Sequence, residues 1–114
     1  MKEKKDPKIF LTHILESIER IEDDTAGLSE AQFSRALTVQ DAVVRRLEII
    51  GEAVRNIADD FRKKHTKIPW KKMAGLRDVL IHEYFGVDME LVWKIVNNDI
   101  PKLKKQILKI VEKL

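Results

Sequence analysis

Residues 75–86 read Gly-Leu-Arg-Asp-Val-Leu-Ile-His-Glu-Tyr-Phe-Gly, which places Arg77, Asp78, His82 and Tyr84 within eight positions. A guanidinium grips a phosphate bidentately and stabilises charge on it. An imidazole that titrates near neutrality moves a proton on or off a hydroxyl. Together the two groups suit phosphodiester cleavage in a polymer that carries its own 2′-hydroxyl nucleophile, and that chemistry requires no metal. Asp78 and His82 stand four positions apart, close enough on a helix for a carboxylate to orient an imidazole. The same spacing also suits a plain surface ion pair, and Arg-x4-His arises often by chance. On one ideal helix Tyr84 lies about 20° round from Arg77, whereas His82 lies about 140° round and roughly 7.5 Å along the axis. Arg77 and His82 therefore converge on one atom only if the arginine wraps round, the helix end distorts, or a second copy supplies half the site.

The elements that must hold this segment are helical. Phe10, Ile14, Ile18 and Ile21 mark a first helix. Val39, Val43, Leu47, Ile50, Val54, Ile57 and Phe61 step by three or four, the stripe of one long amphipathic helix. Met73, Leu76, Leu80 and Tyr84 trace a shorter helix, and Val92, Ile95, Ile100, Leu103, Ile107, Ile110 and Leu114 a last one. No stretch alternates with period two. The punctuation agrees. Gly27 ends the first helix, and Ser29-Glu30-Ala31-Gln32 has the form of a capping box opening a short one. Thr38 is placed to cap the long third helix. Pro69 suits the first turn of the next and Gly86 its end. Asp88 is placed to cap the last helix, with Glu90 in its first turn. Pro101 predicts a kink or restart near Asp99, whose side chain is a candidate cap. Gly51 inside a helix points to close packing, Glu52 beside it to a buried contact between copies or a site residue, and Trp70 and Trp93 to core or interface aromatics rather than base-stacking platforms. The expectation is all-α: an up-and-down bundle of four main helices with one short extra helix, forming a single domain over residues 1–114.

Composition narrows the class. Of 114 residues, 44% are hydrophobic and 36% charged, with no cysteine. A disulfide framework and a thiolate metal site are thereby excluded, and so is a disordered chain. No apolar run approaches the roughly 20 residues of a membrane span, and no apolar stretch follows the charged start as in a signal peptide. The expectation is a cytoplasmic protein. The net charge of +3 is unevenly spread: residues 1–60 carry nine basic and thirteen acidic side chains, and residues 61–114 thirteen basic and six acidic. From Arg62 to Arg77 there are seven cations and no carboxylate. Such a run is either a solvated helix surface or a field that attracts polyanions, and an acidic half beside a basic half also suits a meeting between two chains.

Arg77-Asp78-Val79-Leu80-Ile81-His82-Glu83-Tyr84 resembles the Arg-x4-His-x-Tyr signature of HepT-like proteins, the HEPN-domain toxins of HEPN–minimal nucleotidyltransferase toxin–antitoxin systems. Residues 38–43, 47–53, 68–70, 74–77 and 85–88 resemble family blocks in the expected order, as do Val92-Trp93 and Asp99-Ile100-Pro101. The resemblance implies a homodimer of HEPN-like bundles joined through helices, acting as a metal-independent endoribonuclease with no cofactor, as the toxin of a type VII-like system. It implies that Arg77 binds and polarises the scissile phosphate, that His82 is the general acid/base, and that Asp78 is the polar residue supporting it. It further implies that Tyr84 is the tyrosine to which a partner nucleotidyltransferase antitoxin transfers AMP, silencing the toxin. A dimeric cleft would gather two copies of each group and so answer the 140° separation.

Two other functions remain open on the sequence: a non-catalytic helical subunit that presents Tyr84 or substrate to a nucleotidyltransferase, and a plain nucleic-acid binder using the basic segment. Loss of His82 separates the first from an enzyme, and salt dependence identifies the second.

Overall fold

The computed structural model describes residues 6–82 and 88–114, with the side chains of residue 77 and residues 79–82 outside the description. Among these described residues seven α-helices follow in order: α1 (Pro7–Thr25), α2 (Glu30–Arg35), α3 (Leu37–Arg55), α4 (Asp59–Lys64), α5 (Trp70–His82), α6 (Met89–Lys94) and α7 (Ile100–Glu112). A π-helical turn, Ile95–Asp99, joins α6 to α7. Among the described residues there is no strand, and the all-α expectation holds, with three six-residue helices (α2, α4 and α6, the last leading through the π turn into α7) rather than one short extra helix.

Most of the stripes read from the sequence form the core; Leu114, at the end of the last one, is exposed, and the side chains of Leu80 and Tyr84 lie outside the described residues. Phe10, Ile14, Ile18 and Ile21 of α1 face Val43, Leu47, Ile50 and Val54 of α3, and all eight are buried. α3 packs against α1 on one side and α5 on the other, and α7 closes the bundle against α1 through Leu103, Ile107 and Ile110. Gly51 is buried on α3. Outside the core, Lys104 of α7 reaches Glu22 of α1 at 2.8 Å. That hydrogen bond, with the negative charges of Glu22 and Glu19, holds the ammonium above its usual value. Its folded-state value being raised, the contribution is present below about pH 10.4 and is lost as pH climbs through the raised value.

Local signals set most of the boundaries. Gly27 takes φ 77°, the left-handed conformation that glycine adopts without a Cβ clash, and ends α1. Ser29 and Gln32 form the expected reciprocal capping box at α2. Asp88 Oδ1 accepts from the backbone N–H groups of Glu90 and Leu91, capping α6 as expected. Asp6 does the same for α1 through Lys8 N–H.

Four boundaries differ from expectation, each for a local reason. Thr38 does not cap α3, which begins at Leu37 directly after Ala36. With a single residue between α2 and α3, Gln40 secures the junction instead: its buried Nε2 donates to Phe33 O at 2.8 Å. The 39–61 stripe is two helices, not one. Asn56 turns its side chain back onto Glu52 O at 2.8 Å, α3 stops, and α4 brings Phe61 back to the same core. Pro69 sits one residue ahead of α5, its carbonyl accepting from Met73 N–H. Near Pro101 the α-helix restarts as expected, at Ile100 after the π turn, but Asp99 in the N-cap position makes no capping hydrogen bond and instead pairs with Lys72 at 3.2 Å. Gly86 lies outside the described residues.

Candidate active site

α5 carries the motif. Positions 77, 78 and 82 lie on its second half, and residue 82 is its last. The backbone thus brings Arg77 and His82 onto one helix as expected. Their side chains, and Tyr84 entirely, lie outside the described residues. Asp78 is described, and its side chain is 47% exposed. Its carboxylate is bound by the guanidinium of Arg55, the last residue of α3, whose side chain is 42% exposed. α3 therefore does more than pack against α5: its C-terminal cation is fastened to the start of the motif.

Arg55 is the residue that sequence reasoning missed. It stands 23 positions before Asp78, too far for any helical spacing rule, and only the packing of α3 against α5 makes them neighbours. Being half exposed, the pair contributes little to stability, about 0–1 kcal/mol. Its consequence is placement: a second guanidinium stands beside the motif, and Asp78 is held from across the helix–helix contact. Arg55→Gln is expected to change the unfolding free energy by less than about 1 kcal/mol. A double-mutant cycle with Asp78→Asn, read by urea denaturation, should return a coupling energy of that size and no larger.

The basic run becomes a surface on the other half of α5. Arg62 and Lys63 of α4, and Lys71 and Lys72 of α5, line an open groove of about 740 Å³ whose base is the buried pair Ile68 and Trp70. Trp70 is 7% exposed and donates its indole N–H to Arg62 O at 3.1 Å and His65 O at 2.9 Å. Phe61 meets it edge to face at 6.5 Å between ring centroids. Trp70 is thus a core residue that docks α4 onto the start of α5, with no face left open for stacking a base. Trp93 packs on Phe33 at 5.0 Å and is likewise part of the core margin. Glu52 is exposed on α3, where with His13, Arg45, Glu48 and Asn56 it lines a second groove of about 340 Å³ between α1 and α3.

Comparison with known proteins bears on this arrangement. A family model described as Ribonuclease HepT-like matches residues 14–110. A protein of Thermococcus cleftensis named "Probable ribonuclease HepT" is 48% identical over 107 residues, covering 94% of this chain and 97% of its own length. A protein of Caldanaerobacter subterraneus that carries an RNase name is 46% identical, covering 96% of this chain and 97% of itself. A protein of Methanocaldococcus jannaschii, named for both a gamma-glutamylcyclotransferase and an RNase, is 56% identical over 111 residues, and this chain spans half of its length. No solved structure matches the chain. No helix among the described residues is long and apolar enough to cross a membrane.

Proposed function

Since this chain belongs to the HepT-like ribonuclease family, we propose that it is an endoribonuclease that cleaves RNA without a metal, using Arg77 and His82. The observation that carries the reading is the extent of the family match, which runs through residues 14–110 and so includes all of α5 and the 77–84 motif. On this reading Arg77 holds a non-bridging oxygen of the scissile phosphate and stabilises the charge that grows there. His82 removes the proton of the neighbouring 2′-hydroxyl. The freed oxygen attacks phosphorus, the bond to the 5′-oxygen breaks, and that oxygen takes up a proton. The products are a 2′,3′-cyclic phosphate and a 5′-hydroxyl.

One histidine cannot both accept and donate in the same turnover from one side. A homodimer resolves this, because His82 and His82 of the partner subunit then flank the phosphate as base and acid. Asp78, itself held by Arg55, completes the support of the motif. Control falls to Tyr84, two positions beyond His82: AMP transferred to its hydroxyl by a partner nucleotidyltransferase would add negative charge at the cleft mouth and repel RNA. The site of action on this reading is the cytoplasm, where RNA and the partner are both present.

The purified chain incubated with a mixed-sequence RNA in excess EDTA is expected to cut it, leaving cyclic phosphate ends. Full-length RNA after exhaustive incubation, from a preparation whose mass is that of a dimer, would leave only the binding-subunit reading.

A further inference from the structure

The groove between α4 and the start of α5 has no role in the chemistry above, yet its cations are arranged with respect to it. Lys63 and Lys71 are exposed and have no ion-pair partner among the described residues, and the same holds for nearby Lys64 and Lys67. Arg62 and Lys72 are each tied to a carboxylate, Asp59 and Asp99 respectively. The backbone beneath them is fixed. Trp70 pins the carbonyls of Arg62 and His65, and Gln106 of α7 donates to Lys67 O at 2.9 Å. The cations thus project from a rigid base rather than from a loose loop.

Their register on α5 is directional. Positions 71, 75, 78 and 82 are separated by four, three and four residues and so share one face of the helix. Lys71 begins that face, and position 82 ends it about 16 Å further along at 1.5 Å per residue. Between them Gly75 carries no side chain, and the space where its Cβ would stand is open. The carboxylate on the same face, Asp78, is held by Arg55. A polyanion lying along this face meets the free ammonium of Lys71 at one end, a bare backbone in the middle and position 82 at the other.

We infer that the α4–α5 groove binds the phosphate backbone of single-stranded RNA on one side of the cleavage site and feeds it along α5 to His82. This rests on the ribonuclease reading and assigns that site its substrate-binding extension. Recognition there is electrostatic and indifferent to sequence, because Trp70 has no exposed ring face to read a base. An acidic protein surface is the other chemistry such a groove attracts. The alignment of its unpaired lysines with the motif favours the nucleic acid.

The test is fluorescence anisotropy of the full chain with a labelled RNA of roughly 12 nucleotides, 2′-O-methylated throughout so that it cannot be cut. Lys63→Gln/Lys71→Gln removes two phosphate contacts. It is expected to weaken binding roughly 25-fold at 0.1 M salt and to reduce the slope of log K against log salt by about 1.4. Lys8→Gln/Arg20→Gln, which removes the same charge from the exposed face of α1, is expected to bind as wild type does. Equal losses in both double variants, or no loss in the first, would overturn the inference. So would unchanged RNA affinity with an altered sedimentation mass, which would make the groove a contact for the acidic half of another copy. If groove-dependent binding is found but unmodified RNA is never cut, the ribonuclease reading fails and the groove stands. If RNA is cut while the groove variant binds normally, the reverse holds.

Discussion

His82→Ala and Arg77→Ala are each expected to lower the rate of RNA cleavage by on the order of 10²- to 10⁴-fold while leaving the chain folded. The histidine figure is the usual worth of a positioned general acid or base. The arginine figure is that of a charged donor aimed at oxygen charge that develops in the transition state. Both residues lie on the second half of α5, beyond the buried Met73 and Leu76 that anchor its first half. Single-turnover cleavage with RNA in excess of Kd isolates the chemical step, and circular dichroism melts check the fold. In His82→Ala the loss belongs in kcat. In the groove variants it belongs in affinity. A His82→Ala protein that cuts RNA at the wild-type rate would remove the general acid/base from the mechanism.

Trp70→Ala is expected to destabilise the chain by about 3–5 kcal/mol, the cost of deleting a large buried aromatic and leaving its cavity. Against a total stability of roughly 5–15 kcal/mol, that is a large share. The position concentrates several roles. Its ring forms the base of the groove and meets Phe61, its indole N–H serves two carbonyls at the end of α4, and its backbone opens α5. Trp70→Phe restores most of the ring but not the donor, so its expected cost is smaller, about 1–3 kcal/mol. Urea denaturation of both variants measures the order. Equal midpoints for Trp70→Phe and wild type would mean that the indole hydrogen bonds do not hold α4, and a loss under 1 kcal/mol for Trp70→Ala would mean that α4 is docked by something else.

What the sequence made legible was whatever depends on neighbours along the chain. The apolar steps of α1, α3 and α7 place their buried faces correctly, because a 3.6-residue period is a local property. Ser29, Asp88 and Gly27 mark helix ends for the same reason: each acts on groups within three residues. The break after Arg55 was hidden because Ile57 and Phe61 keep the apolar rhythm while the chain turns between them; the core they return to is the same one. Thr38 was a good cap by type, but the single-residue junction at Ala36 left it inside the helix, and a buried Gln40 took over the junction. Asp99 likewise had the residue type of a cap, yet a cation on another helix engages it.

The candidate site divides along the same line. Arg77, Asp78 and His82 were found by spacing on one helix. Arg55 was not, because a partner 23 residues away is set by how α3 meets α5 rather than by any pattern in either. The basic run between Arg62 and Arg77 was visible as composition, but only the docking of α4 by Trp70 turns Lys63 and Lys71 into the two sides of one groove. Tyr84, the residue through which control is proposed, lies outside the described residues, and its role rests on the family resemblance.

The central claim is that this chain cleaves RNA by way of the substrate's own 2′-hydroxyl and His82, with no metal. Its most direct measurement is the end-group chemistry of RNA cut in EDTA by wild type and His82→Ala side by side, with a substrate carrying a single 2′-deoxy sugar at a mapped cleavage position as the third arm. The account predicts cyclic phosphate and 5′-hydroxyl ends from wild type, no cleavage at the deoxy position, and intact RNA with His82→Ala. Cleavage that continues at the deoxy position, or that appears only when a divalent metal is restored, would contradict it.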